Sequence, residues 1–383
     1  MKRRKSPRRT RGRALGAVLL LIVLAAIAVA AWFGFDYTRF SDAPLSVRAP
    51  NQTFEIAKGE SFREIVRDLR AARLSGAPPL YWRVLAEQLG VAGSLHAGEY
   101  ALPRGISART LLENMAQGNV LQRRVTLVEG WTFAQVRAAL SAAPKLSHPA
   151  TQLSDAELMS KLGAGGQHPE GEFMPDTYDY VLGMSGLDVL ARAHAAMQKY
   201  LDAQWPRRDP AIPLQTPYQA LILASIVEKE TAQPSERPQI AGVFERRLKL
   251  GMKLETDPTV IYGLGASYDG RIHSRDLQTD TPYNTYTRAG LPPTPIALPS
   301  RAAIDAVLHP APGDALYFVA RGDGTHAFSA TLQEHNRNVA IYQLHSAPGA
   351  APASASSTAE KPGSGSSAGA KKKKSLRHRH SRP

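Results

Sequence analysis

The sequence predicts an α+β protein with one N-terminal transmembrane helix, small membrane-side α+β modules and a larger mixed α/β domain. Three observations lead there. Ala14 to Phe35 carries no charged residue, while eight Lys or Arg stand before it. A strand, a Gly-containing turn, a Ser or Thr cap and an amphipathic helix recur twice before residue 140. Beyond that, helical periodicity dominates until Leu254 to Pro299, which is rich in Thr, Pro, Tyr, Gly and Asn.

The uncharged run has the length a helix needs to cross a ~30 Å hydrocarbon layer. It is too long for a signal-peptide core, and Trp32 and Phe33 make a poor cleavage site. Basic residues on one flank only predict a cytoplasmic residue 1–13 tail, a span over 14–35, and everything after Asp36 outside. Residues 36–50 read as a polar spacer. Phe54-Glu55-Ile56-Ala57 reads as a strand, Lys58-Gly59 as a turn, and Ser61 as the cap of a helix bearing Phe62, Ile65, Val66 and Leu69 at helical spacing. A helix over Tyr81–Leu89, a returning strand over 97–102 and a helix capped by Ser107 follow. The second unit starts at Arg124 and runs through Glu129-Gly130 and Thr132 to a helix ending at Leu140, so residues 51–140 are read as one or two modules.

Residues 141–345 form the larger domain. Residues 145–215 read as mostly helical, broken at Gly163–Gly166 and at Gly171–Tyr178. Helices follow over Leu221–Glu230 and Ile240–Leu250, the second ending at Gly251 with Arg246, Arg247 and Lys249 placed as the helix dipole prefers. Leu254–Pro299 reads as turns and loops, 316–320 and 326–328 as a hairpin, and a last helix reaches about Leu344. Residues 346–383 are read as a disordered basic tail.

Charge excludes one function class. Of 47 Lys and Arg, 15 lie in residues 1–13 and 371–383, leaving 32 against 33 Asp and Glu. A near-neutral body with its excess in the tails argues against nucleic-acid binding. There is no cysteine, and His309, His326 and His335 lack metal spacing, so neither a metal nor a cofactor is expected.

Glu228 and Glu230 stand near the end of an apolar helix. Two residues apart on a helix is about 200° of rotation, so the pair faces opposite ways and cannot act as paired carboxylates. Glu230 shares its face with Leu223, Ile226 and Val227, and Glu228 with Leu221, Ala224 and Ser225. Burial and the helix C-terminus should both raise the Glu230 pKa, as a general acid requires. The plain alternative is a solvated helix end.

The run Ala224-Ser225-Ile226-Val227-Glu228-Lys229-Glu230-Thr231 is followed in order by Glu236-Arg237, Leu254-Glu255-Thr256-Asp257-Pro258-Thr259, Thr281-Pro282-Tyr283-Asn284-Thr285-Tyr286, Gly290-Leu291-Pro292-Pro293 and His335-Asn336. Taken together, over about residues 45–345, this closely resembles the YceG-like (MltG) endolytic murein transglycosylases. The resemblance implies cleavage of the β-1,4 bond between N-acetylmuramic acid and N-acetylglucosamine within peptidoglycan strands, leaving a 1,6-anhydromuramic end, with Glu230 as the catalytic residue. It implies LysM-like glycan-binding modules and a long loop-rich cleft in the catalytic domain. Asn284, Tyr286 and Tyr283 become candidate sugar contacts, and Thr256 and Asp257 candidates for shaping the cleft. An Asx-turn at Asp257 or Asn284 and core packing at Tyr286 are the alternatives. The implied setting is the bacterial inner membrane, N-terminus cytoplasmic and catalytic domain periplasmic, with glycan strands and peptidoglycan synthases (penicillin-binding proteins) as partners. Glu255, Thr294, Leu298 and Ser300 depart from the family pattern. Two other readings stay open: hydrolysis by the same glutamate with Asp257 positioning water, and a glycan-binding scaffold without catalysis.

Overall fold

A computed structural model of the chain describes residues 9–147 and 153–344. The expected disordered tail and most of the cytoplasmic segment lie outside the described residues. The apolar run forms α1 (Arg9–Asp42), the helix among the described residues that is long and apolar enough to cross a membrane. It runs on through the expected spacer to Asp42, because Tyr37 and Phe40 find buried partners there.

Those partners belong to the first of three hydrophobic cores. β1 (Thr53–Ile56) leads into α2 (Phe62–Ala71) and α3 (Pro79–Leu89), and β2 (Gly98–Ala101) returns antiparallel to β1 with Phe54 opposite Tyr100. Ser61 caps α2 in a capping box with Glu64. α4 (Ala108–Gln117) closes this core with Leu111, Leu112 and Met115 over Ile65, Leu69 and Trp82.

The second strand–turn–helix unit, read from the sequence together with the first, packs instead with later residues. β3 (Arg123–Thr126) pairs antiparallel with β4 (Thr177–Tyr180), and α5 (Phe133–Ala142) joins α6 (Asp155–Lys161) and the start of α7 (Gly186–Gln204) in a second core. Thr177-Tyr178-Asp179-Tyr180 begins in the expected helix break over Gly171–Tyr178 and runs two residues past it. It alternates exposed and buried, the period of a strand. Phe133 and Phe173 stack at 5.2 Å across this core. The far end of α7 belongs to the third core through Met197 and Leu201.

The third core is built around α8 (Pro217–Glu230). Thr216 caps it, Pro217 takes its first position, and every residue from Ala220 to Val227 is buried. A helix apolar on all sides must be enclosed. α9 (Arg237–Lys249) and α12 (Arg301–Leu308) pack on it, with the hairpin β5 (Tyr317–Ala320) and β6 (His326–Ser329) and the helix α13 (Leu332–Val339) beyond. The segment Leu254–Pro299, expected as turns and loops, holds α10 (Asp257–Leu264) and the short α11 (Ser274–Gln278). β-branched Thr259, Val260 and Ile261 weaken the helical signal of α10, and burial of Thr259 and Val260 outweighs that propensity.

Candidate active site at the end of the buried helix

α8 ends at Glu230 because Thr231 turns extended, with φ −140° and ψ 134°. The two glutamates then meet different neighbours. Glu228 accepts from Arg237 Nη2 at 3.2 Å and from the Ser300 backbone N–H at 3.1 Å, and its side chain is only 7% exposed. It is a buried tie between α8, α9 and the cap of α12. The face neighbours of both glutamates, Leu223, Ile226 and Val227 on one side and Leu221, Ala224 and Ser225 on the other, are fully enclosed. What separates the two carboxylates is the partner that each one finds.

Glu230 finds Thr256, whose hydroxyl donates to Oε1. Thr256 is the N-cap of α10, yet its side chain makes no cap bond. Its own N–H donates to Thr285 Oγ1 at 3.0 Å, and Thr285 shares a hydrogen bond with Thr259 at 2.9 Å. A small hydroxyl cluster thus fixes the threonine that holds the glutamate. Glu255, just before it, has φ +51°, a left-handed conformation uncommon for a residue with a side chain. Its carboxylate pairs with Arg247 at 3.2 Å.

Electrostatics favour a proton on Glu230. Loss of hydration on burial pushes its pKa up to about 7, against the Thr256 hydrogen bond, which lowers it; the Asp257 charge adds to the rise and Arg247 opposes it. No described residue donates to Oε2. Asp257 stands at the first position of α10, exposed, and accepts from the Tyr286 hydroxyl at 2.7 Å. Burial, then that hydrogen bond, push the Tyr286 phenol well above its ordinary range.

The structure brings Thr256, Asp257, Tyr286 and Glu230 together, while the Asn284 and Tyr283 side chains bond into the loop. Asn284 is 1% exposed. Its amide donates to the Asp276, Leu277 and Thr279 carbonyls, and its Oδ1 accepts from Tyr286 N–H. That buried side chain shapes the loop: both amide hydrogens are committed to loop carbonyls, and Oδ1 holds the Tyr286 N–H. Tyr283 is half-buried, edge-on to Tyr262 at 4.8 Å and bonded to Thr294 Oγ1 at 2.8 Å, a packing and loop-closing role.

A family model described as the YceG-like family matches residues 54–341. The chain belongs to that family. A Bacillus subtilis protein named endolytic murein transglycosylase is 31% identical over 267 residues, 64% of this chain and 72% of that one. A Streptococcus pneumoniae protein of the same name is 27% identical over 358 residues, 84% of this chain; the match spans 64% of the pneumococcal protein's length. The crystal structure of a YceG-like protein from Listeria monocytogenes superposes with a TM-score of 0.51 at 29% identity, covering 75% of this chain and 98% of that one.

Within this YceG-like chain, sequence reasoning overlooked Arg247. It was assigned to the helix dipole, but it is 7% exposed and donates to the Leu316, Lys253 and Leu254 carbonyls as well as to Glu255. Its neighbour Arg246 likewise bonds the Ala311 and Ala315 carbonyls. The buried carboxylates Glu170 and Glu172 were overlooked too. Burial pushes each up to about 7; Glu170 accepts from Phe133 N–H and the Tyr262 hydroxyl, linking the second core to α10. Their signal was Gly171 between them, where a Cβ would collide with Pro295. The departures from the family pattern have structural roles here. Leu298 fills the second core, Ser300 caps α12, and Thr294 bonds Tyr283.

Proposed function

We propose that this YceG-like protein is an endolytic murein transglycosylase, a lyase of the bacterial cell wall anchored by α1, and that Glu230 carries its chemistry. The observation that supports this most is a carboxyl held at Oε1 by Thr256, raised to about 7, with Oε2 lacking a protein donor. Such a group is protonated in a large fraction of molecules near neutrality, which a general acid needs.

Glu230 gives its proton to the glycosidic oxygen as the bond to the muramic C1 breaks. The resulting carboxylate takes the proton of the muramic C6 hydroxyl while O6 bonds to C1. The products are an N-acetylglucosamine hydroxyl end and a 1,6-anhydromuramic end, and Glu230 recovers its proton without water. Asp257 helps to keep Glu230 protonated, and Tyr286 holds Asp257. The first core, strand–helix–helix–strand with antiparallel pairing, is the LysM-like glycan-binding unit, and the segment from Glu255 to Tyr286 forms the wall of the cleft. The basic flank of α1 sets the N-terminus in the cytoplasm and the catalytic part in the periplasm, beside the membrane-bound peptidoglycan synthases.

Digestion of glycan strands in heavy-oxygen water tests the reaction class. Anhydro ends without label are expected. Labelled reducing muramic ends would make the protein a hydrolase, and Asp257 the residue to examine for positioning water.

A further inference from the structure

The outward end of α1 is built into the first core. The apolar run stops at Phe35, but the helix continues to Asp42. Phe40 lies edge-on to Trp82 at 5.1 Å, and Tyr37 to Tyr81 at 5.7 Å. The Tyr81 hydroxyl donates to Asp36 at 3.0 Å, the Tyr37 hydroxyl to Gln88, and Arg109 Nε to Asp42 at 3.1 Å. Aromatic packing and three polar contacts leave little freedom for this core to swing on a tether. Its height above a bilayer is set by the helix.

That height can be read from the contacts. Asp36 is the first charged residue after 22 uncharged ones, a run that matches a hydrocarbon layer of ~30 Å. Asp36 therefore marks the level where acyl chains give way to headgroups. Trp32, Phe33 and Phe35 are exposed just below it, as aromatic side chains are at membrane interfaces. Arg39 is exposed one turn above, where lipid phosphates lie. Tyr81 reaches the Asp36 level with its hydroxyl. Directly before Tyr81 run Gly76-Ala77-Pro78, the connection into α3, and Pro79-Leu80, the first two residues of that helix; Leu80 is 62% exposed. Leu80 is thus an exposed apolar side chain next in sequence to the tyrosine that bonds Asp36.

We propose that the stretch from Gly76 to Leu80, the connection into α3 and the start of that helix, rests on the outer lipid surface, with Leu80 at the boundary of headgroups and acyl chains. This rests on the reading of α1 as a membrane span. The first core is then a platform seated on the membrane, and the glycan it meets is the part of a strand nearest the bilayer.

The chain lacks cysteine, so one introduced cysteine carries a nitroxide alone. The full chain is reconstituted in phosphatidylethanolamine–phosphatidylglycerol vesicles with the label at Leu80→Cys or at Gly76→Cys, where an added Cβ meets open space. Leu21→Cys within the run and Leu332→Cys on α13 serve as references. Relaxation by lipid-soluble oxygen is compared with relaxation by a water-soluble nickel chelate. Labels at Leu80 and Gly76 are expected to be shielded from nickel relative to Leu332, with Leu80 also gaining oxygen access towards the Leu21 value. If Leu21 is in lipid while Leu80 and Gly76 match Leu332, the seating is wrong and the anchor stands. If Leu21 is aqueous, both fail. Shielding from nickel without oxygen access would overturn the seating: protein, a second copy or another partner, would cover this stretch in place of lipid.

Discussion

At the scale of single residues, Glu230 is tuned by two neighbours of opposite effect, and each can be removed. Thr256→Val deletes the hydroxyl that favours the carboxylate. The Glu230 pKa should then rise above about 7, and the fall in rate at alkaline pH should move to higher pH, with a lower maximum because the carboxyl is less well held. The variant loses no helix cap, since the Thr256 side chain makes none. Asp257→Asn removes a negative charge, so the same limb should move to lower pH. Rate–pH profiles on purified glycan strands check both; shifts in the same direction, or none, would mean that Glu230 does not set the limb. Much of this was legible in the sequence. Glu230, Thr256, Asp257 and Tyr286 stand in motifs whose order survives folding. For Asn284 the sequence left a sugar contact and an Asx-turn open, because an amide that serves its own loop and one that serves a sugar are the same letter; the bond from Tyr286 N–H to its Oδ1 is that turn.

At the scale of elements, α8 shows what periodicity can and cannot supply. The two-residue spacing separated Glu228 from Glu230 correctly, but it could not reveal that α9 and the α12 cap arrive on the Glu228 side with Arg237 and Ser300. Replacing Glu228 is therefore not a silent control. Removing one partner of a buried ion pair costs on the order of 3–5 kcal/mol when nothing replaces it, and less where an amide keeps part of the hydrogen bonding. Glu228→Gln should lower the thermal midpoint by several degrees while each folded molecule still releases anhydro product. Calorimetry together with turnover per folded molecule separates the two; an unchanged midpoint with lost turnover would move the chemistry to Glu228. β4 and α10 were missed for contrary reasons. Thr177–Tyr180 has a clear period of two that the surrounding glycines and prolines obscured. The β-branched start of α10 argues against a helix until tertiary burial of Thr259 and Val260 is known.

At the scale of the whole molecule, three cores follow one another along the chain, joined by α7 and by contacts such as Arg123 with Glu99 at 2.7 Å. The sequence made the first core plain because its strands, caps and helices are close in sequence. It could not assign Arg123–Leu140, since the partner strand β4 lies some fifty residues further on. The molecule also carries an unusual load of raised carboxyls: Glu170, Glu172 and Glu230 at about 7 and Glu245 at about 8, each chiefly through burial. A carboxyl raised in the folded state favours folding while it stays protonated. That contribution is complete below the unfolded value near 4.5 and is lost as pH rises through 7 to 8. His194 and His335, lowered by burial, act in the opposite sense, but only below about their ordinary 6.5. Unfolding midpoints should therefore fall between pH 6.5 and 8.5, and Glu230→Gln should flatten part of that slope. A rising midpoint over this interval would contradict the burial of these four groups.

The central claim is that one glutamate, Glu230, performs both proton transfers. Glu230→Gln keeps the size and the helix propensity of the residue and removes the transferable proton. The most direct measurement is mass spectrometry of the muropeptides that the wild type and Glu230→Gln release from intact glycan strands, with circular dichroism to confirm that both are folded. The account predicts 1,6-anhydromuramic ends from the wild type and a loss of at least about 10²–10⁴-fold in the variant. Anhydro product from folded Glu230→Gln at a rate near the wild type's would contradict it.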